Sequence, residues 1–166
     1  MSGTLYAYAD GPLGRMLLVG HPGEDGRTVL ASLSLPGQKG AAEAEDGWTL
    51  DPAAFTEITT QLGEYFAGRR DRFDVPCATG GTEFQRRVWR ALEEIPYGTT
   101  VSYGEIARRV GSSGAGVRAV GTAIGRNPLL VVRPCHRVIG ADGSLRGYAA
   151  GLDRKERLLG LEGALG

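Results

Sequence analysis

Cysteine and histidine are scarce in this chain, with two of each in 166 residues. No C-x-x-C or H-x-x-x-H spacing occurs, and His21 and His136 stand far apart, so no metal site is expected. Two cysteines argue against a disulfide framework and fit a reducing compartment. No run of about 18 apolar residues is present, so no membrane span is expected. The opening Met1-Ser2-Gly3-Thr4 lacks the basic and apolar regions of a signal peptide, and a cytoplasmic location follows as an expectation. Lysine is rare as well: 17 of the 19 basic residues are arginine. Arginine suits phosphates and base edges, because its planar fork binds bidentately.

What is present is ordinary for a globular protein, 42% hydrophobic and 23% charged. The formal net charge of zero conceals a division. Residues 1–84 carry 6 basic and 12 acidic side chains, and residues 85–166 carry 13 and 7. Such asymmetry suggests a polyanion-facing surface on the second half. Two subdomains are expected, residues 1–78 and 79–166.

The first half reads as a β-meander. Leu5–Ala9, Arg15–Val19 and Arg27–Leu33 are strand-like and separated by Gly/Pro/Asp turns. Residues 36–50 read as a surface connection. Asp51-Pro52 opens a helix whose core face is Phe55, Ile58, Leu62, Tyr65 and Phe66, and Gly68 ends it. Residues 69–81 look like a linker, and Cys77 within them has no activating neighbour.

The second half is helical. Thr82-Glu83-Phe84-Gln85 fits a capping box, followed by an apolar stripe of Val88, Trp89, Leu92 and Ile95. Ser102-Tyr103-Gly104-Glu105 starts a third helix closed by Gly111. After a tight turn at Ser112-Ser113-Gly114, Ala115–Ile124 forms a fourth. Helix, short glycine turn, helix is helix-turn-helix geometry. The fourth helix is small-residue rich, with Arg118 as its one long polar residue. A slim face suits a nucleic-acid groove, although tight helix packing uses small residues too. Asp153-Arg154-Lys155-Glu156 caps a last helix carrying Leu158, Leu159 and Leu161. Glu162 lies at the wrong end of that helix's dipole, which hints at a partner, although a solvated tail residue is the simpler explanation on sequence alone.

The central stretch is Asn127 to Gly140. Leu129–Val132 reads as a short buried strand ending before Pro134. Cys135 then faces a cleft, followed by His136 and flanked by Arg133 and Arg137. A thiol reacts as thiolate, which positive neighbours favour. Most free cysteines are inert core residues, so position alone does not decide the matter.

Pro134-Cys135-His136-Arg137-Val138, Phe84–Trp89, Ile95-Pro96-Tyr97-Gly98, Ser102-Tyr103, Arg118-Ala119-Val120-Gly121, Asn127-Pro128 and Gly147-Tyr148 together resemble the O6-alkylguanine-DNA alkyltransferase family. The resemblance implies an α+β fold. An N-terminal antiparallel sheet with one helix (a ribonuclease-H-like layout) precedes a mostly helical, winged-helix-like domain carrying the acceptor cysteine. It implies single-turnover transfer of an alkyl group from O6-alkylguanine, and O4-alkylthymine, in duplex DNA to Cys135. His136 then resembles the proton acceptor, Glu162 the residue orienting it, and Tyr103 the donor at the flipped nucleotide. Arg118 resembles the finger filling the base stack. Tyr103, Ala119, Gly121, Arg126 and Asn127 fall on the implied DNA surface. Asn127, Pro134, Val138, Tyr148 and Ala149 fall at the implied guanine pocket. No cofactor, nucleotide or metal is implied, and the working unit is a monomer able to assemble along DNA. Ala149-Ala150 and Arg133 depart from the family pattern. Two other classes fit the composition: a non-catalytic helix-turn-helix sensor of alkylated DNA, and a Cys–His hydrolase.

Overall fold

The computed structural model describes residues 3–112 and 116–165. The turn residues Ser113 and Gly114, and Ala115 at the expected start of the fourth helix, lie outside them. The chain divides into two compact units, residues 1–79 and 80–166.

In the first unit, strands β1 (Leu5–Gly11), β2 (Gly14–Pro22), β3 (Thr28–Ser34) and β4 (Thr49–Leu50) form one sheet in the order β3-β2-β1-β4. The first three make the expected antiparallel meander, while β4 pairs parallel to β1. Met16 to Gly20 is buried without alternation, so both faces of this central strand are covered there. The register shifts between Val19 and Gly20, where a Cβ would come within 2.4 Å of the Val29 carbonyl, so the bulge needs glycine. Asp51 caps a 3-10 turn, Pro52–Phe55, which leads into α1 (Thr56–Phe66). Phe55, Ile58, Leu62 and Tyr65 form its buried stripe.

The segment expected as a linker is docked instead. Leu30 N–H donates to Pro76 O at 2.8 Å, and Ala78 N–H to Leu30 O at 3.0 Å. The Gln61 amide exchanges two bonds with the Asp74 backbone. Backbone pairing therefore holds a stretch whose composition carries no strand signal. Cys77 is exposed.

In the second unit α2 (Glu83–Glu93) starts at the full Thr82–Gln85 capping box. Then come β5 (Val101–Ser102), α3 (Tyr103–Arg109), α4 (Gly116–Gly125), β6 (Val138–Ile139) and α5 (Leu152–Leu161). Ser102 caps α3 through the Glu105 N–H. The α5 cap is Gly151, at φ +96°, and Asp153 sits in the first turn, correcting the expected start. Trp89 Nε1 donates to Ala123 O at 2.9 Å and ties α2 to α4 across 34 residues of sequence. The parallel pair β5–β6 is two residues long, yet it sets Tyr103 beside the turn that carries Cys135. Among the described residues no helix is long and apolar enough to cross a membrane.

Candidate active site and nucleic-acid interface

Leu129 to Val132 is not a strand. Val131 has φ +69°, Val132 N–H donates to Leu130 O at 2.7 Å, and Arg133 N–H donates to Leu129 O at 2.9 Å. Cys135 N–H then donates to Arg133 O at 2.8 Å about Pro134, at φ −79° and ψ 59°. Two successive three-residue turns thus coil the chain tightly just before the cysteine. The Asn127 side chain takes up much of the backbone hydrogen bonding that a strand partner would supply. Its amide nitrogen donates to Leu129 O and Arg133 O, and its oxygen accepts from Leu129 N. A β-branched residue at positive φ costs roughly 1–2 kcal/mol. Burial of Leu129, Leu130 and Val131, each 1% exposed, offsets that strain.

Cys135, His136 and Arg137 form a single buried 3-10 turn. Successive side chains on such a turn diverge, and here two of them converge on one carboxylate. His136 Nε2 lies 2.8 Å from Glu162 Oε2. Arg137 donates to both Glu162 oxygens, at 2.8 and 2.9 Å, and to Ile95 O at 2.6 Å. Glu162 caps the C-terminus of α5, so its unfavourable place on the helix dipole is balanced by a guanidinium. A carboxylate can only accept, so Nε2 carries the imidazole proton. Burial holds the His136 pKa below its usual value despite Glu162, which keeps the ring neutral. Nδ1 is left as a buried acceptor with no partner among the described residues.

The thiol corrects a sequence expectation. Burial pushes the Cys135 pKa up to about 11, against the opposing pull of the Asn127 hydrogen bond, Lys155 and Arg133. Arg137 is engaged with Glu162. In the resting site desolvation therefore outweighs the positive neighbours, and the thiol is protonated.

Lys155 is the site residue that sequence reading missed. It is fully buried, and its ammonium donates to the carbonyls of Arg146 and Gly147, the latter at 3.1 Å. It lies 5.8 Å from the centre of the Tyr103 ring. Burial pulls its pKa down to about 8, and a Cys135 thiolate, when formed, pulls it back up. A signal was present: residues 155, 158, 159 and 162 share one helical face, so this lysine falls on the apolar stripe. Tyr103, half-buried at the start of α3, donates to Arg146 O at 3.2 Å. Burial raises its pKa, and a Cys135 thiolate would raise it further.

Cys135, His136, Glu162, Tyr103 and Asn127 thus meet around one turn. Pro134 and Val138 are buried beside it, and Tyr148 and Ala149 are half-buried on the loop below the Lys155 contacts. On α4, Arg118 and Ala119 are exposed, as is Arg126 just after the helix. With Thr82, Gln85 and Thr122 they line a cleft of about 540 Å³. A Cβ on Gly121 would sit 3.9 Å from the Tyr103 ring, so α4 stands beside the tyrosine. At Gly116 a Cβ would come within 2.8 Å of Ser112, so close packing explains that glycine.

Two family models match the chain almost end to end. Residues 4–79 match the ribonuclease-like domain of 6-O-methylguanine DNA methyltransferase, and residues 83–164 match its DNA binding domain. The methylated-DNA–protein-cysteine methyltransferase of Mycolicibacterium paratuberculosis is 51% identical over 157 residues, 95% of this chain and 91% of that protein. That of Methanosarcina acetivorans is 50% identical over 159 residues, 96% and 98% of the two chains. The fold superimposes on the Mycobacterium tuberculosis OGT solved in complex with DNA with a TM-score of 0.87, at 47% identity and covering 96% and 93% of the two chains. A buried cysteine next to a histidine–glutamate pair, on a unit built around a helix-turn-helix, therefore belongs to a chain of the methylated-DNA–protein-cysteine methyltransferase family.

Proposed function

We propose that this protein repairs DNA by direct reversal, moving the alkyl group of O6-alkylguanine in duplex DNA onto Cys135. The observation that carries the reading is the placement of Cys135 on the same buried turn as His136, whose ring is held by Glu162, beside Tyr103 and α4. An alkyl carbon inside the base stack is out of reach, so the nucleotide must be extruded, at a cost of a few kcal/mol. Arg118, exposed on α4, fills the gap. Arginines of the second unit neutralise phosphates, which gives affinity that is salt-dependent and largely independent of sequence.

The chemistry is a displacement at carbon. The Cys135 proton passes through one water to the neutral Nδ1 of His136, and Glu162 and Arg137 hold the ring that receives it. The sulfur lone pair forms a bond to the alkyl carbon as the carbon–O6 bond breaks, and its electrons move into the purine. Tyr103 donates a hydrogen bond or proton to the leaving base. The product is a thioether with no carbonyl for water to attack, so each molecule acts once. O4-alkylthymine presents the same aryl-ether carbon and reacts in the same way. One acceptor thiol and one helix-turn-helix per chain make the monomer the working unit. The residues need no cofactor for this sequence of steps.

Mass spectrometry after mixing with an O6-methylguanine duplex tests the reading. The expected gain is about 14 Da, one methylene equivalent on an alkylated thiolate, located on Cys135 with one methyl per protein. Label on Cys77, or turnover beyond one equivalent, overturns it.

A further inference from the structure

Holding the His136 ring in place requires one acceptor, and Glu162 Oε2 supplies it at 2.8 Å. Arg137 does more than that task needs. Its Nε and Nη2 cover both carboxylate oxygens, at 2.8 and 2.9 Å, and Nη2 shares Oε2 with the imidazole. Nη1 donates to Ile95 O at 2.6 Å, and the guanidinium lies 5.7 Å from the centre of the Tyr97 ring. The Gly98 N–H reaches Oε1 at 3.5 Å. The side chains of His136 and Glu162 are 0% exposed and that of Arg137 is 9% exposed, so water screens these charges weakly.

A lone carboxylate in this place would disable the ring it orients. Its charge, in contact with Nε2–H, would draw a further proton into the pair. That proton has two places to go. On the ring it makes an imidazolium, with hydrogen on both nitrogens. On Glu162 it makes an acid that donates to Nε2, which moves the ring hydrogen to Nδ1. In either case Nδ1 carries hydrogen and cannot accept from the thiol. Burial disfavours the imidazolium and the lone carboxylate alike, so it does not by itself decide where the charge settles. A guanidinium on both oxygens cancels the carboxylate charge and still leaves Oε2 able to accept from Nε2–H.

We infer that Arg137 is a positioning residue for the proton relay: by neutralising Glu162 at contact distance, it lets that carboxylate orient the His136 ring while Nδ1 stays bare to receive the Cys135 proton. The inference rests on the reading of Cys135 as the alkyl acceptor and His136 as the group that takes its proton. The charged and titratable groups about the ring are Cys135 and Arg137 on its own turn, with Glu162 and Lys155 on α5 and its C-terminal cap. Burial, Arg137 and Lys155 oppose a charged ring, and Glu162 favours one. Lys155 donates to the carbonyls of Arg146 and Gly147, whereas Arg137 touches the carboxylate itself.

The test reads the protonation of Nδ1 by nitrogen NMR of the histidine side chain against pH, in a His21→Gln background that leaves one imidazole. His21 is exposed in the first unit. At pH 7 the parent should show a bare Nδ1. Arg137→Gln should raise the midpoint at which Nδ1 gains hydrogen by about two pH units, the middle of the range for an opposite charge at contact distance. Methyl transfer from an O6-methylguanine duplex supplies the second readout. The ratio of variant to parental rate should climb about tenfold per pH unit below the displaced midpoint and level off above it, whereas a merely structural role leaves that ratio flat. Arg137→Lys keeps a charge without the two-oxygen grip, so its midpoint should lie between those of Arg137→Gln and the parent, and it carries the test if Arg137→Gln does not fold. A midpoint that stays at the parental value in the folded variants, or a rate ratio independent of pH, overturns the inference. The NMR measurement contains no DNA, which separates the two readings. A displaced midpoint with no methyl transfer by the parent counts against the repair reading only, and an unmoved midpoint with normal parental transfer counts against Arg137 only.

Discussion

Tyr103 and Lys155 donate to the same carbonyl oxygen, that of Arg146. The tyrosine cannot hold that carbonyl and a substrate ring with one proton. If Tyr103 serves the extruded nucleotide as proposed, it must leave that carbonyl, and Lys155 would keep the carbonyl satisfied and the loop in place. Tyr103→Phe should therefore fold normally and bind DNA within about threefold of the parent. Its transfer rate should fall about 10²-fold, the lower end for a lost proton donor. Lys155→Met should also slow transfer, and it should speed hydrogen exchange across residues 145–151, because a charge-assisted bond contributes about 1.5–3 kcal/mol. Equal exchange in Lys155→Met and parent would separate the lysine from the loop.

The protonated thiol makes a second prediction. With its pKa near 11, free Cys135 is almost wholly thiol at neutral pH. Iodoacetamide alkylation should rise about tenfold per pH unit between pH 7 and 9, since only the thiolate reacts. A plateau reached by pH 7 would mean that the positive neighbours outweigh burial after all.

Much of this arrangement was legible in the sequence where one residue performs one local task. The Thr82–Gln85 box, the Ser102 cap and the Asp51-Pro52 start each name their own partner within three residues. Glu162, opposed to its helix dipole, hinted at a partner against the simpler reading of a solvated tail residue, and Arg137 and His136 are there. Misreadings arose where a side chain replaces backbone. Asn127 satisfies the groups that a strand at 129–132 would have paired, and no periodicity reveals that. The thiol's protonation was missed because Arg133, His136 and Arg137 are visible beside Cys135 in sequence and the depth of burial is not. The docked 69–79 segment and the two-residue β5–β6 pair rest on long-range backbone bonds that composition does not encode.

Glu162 and His136 together predict an acid-labile fold. The imidazole is neutral in the folded chain, whereas unfolded histidine takes up a proton below about pH 6.5. Between the depressed folded pKa and 6.5 the unfolded chain binds more protons, so stability rises with pH there and is lost as pH falls. The slope is at most about 1.4 kcal/mol per pH unit for one proton. Urea midpoints from pH 7 to pH 5 should show the decline, and His136→Gln should flatten it. Glu162→Gln leaves the Arg137 guanidinium buried without its carboxylate and should cost about 3–5 kcal/mol at pH 7.

Arg118 makes the most selective prediction, because its role exists only in a duplex. It is exposed on α4, and among the described residues its side chain makes no hydrogen bond or ion pair, so Arg118→Ala should leave urea stability within about 0.5 kcal/mol of the parent. If it fills the space of the extruded nucleotide, its loss returns part of the few kcal/mol that extrusion requires. A loss of about 2 kcal/mol corresponds to roughly a thirtyfold slower transfer from duplex DNA. The free base of an O6-alkylguanine needs no extrusion, and its transfer rate should be unchanged. The salt dependence of duplex binding should weaken by no more than one phosphate contact's worth, a change of about 0.9 in slope. Equal slowing on duplex and free base would instead place Arg118 in the support of the site, and an unchanged duplex rate would assign gap-filling to another residue of the cleft formed by Gln85, Thr122 and Arg126.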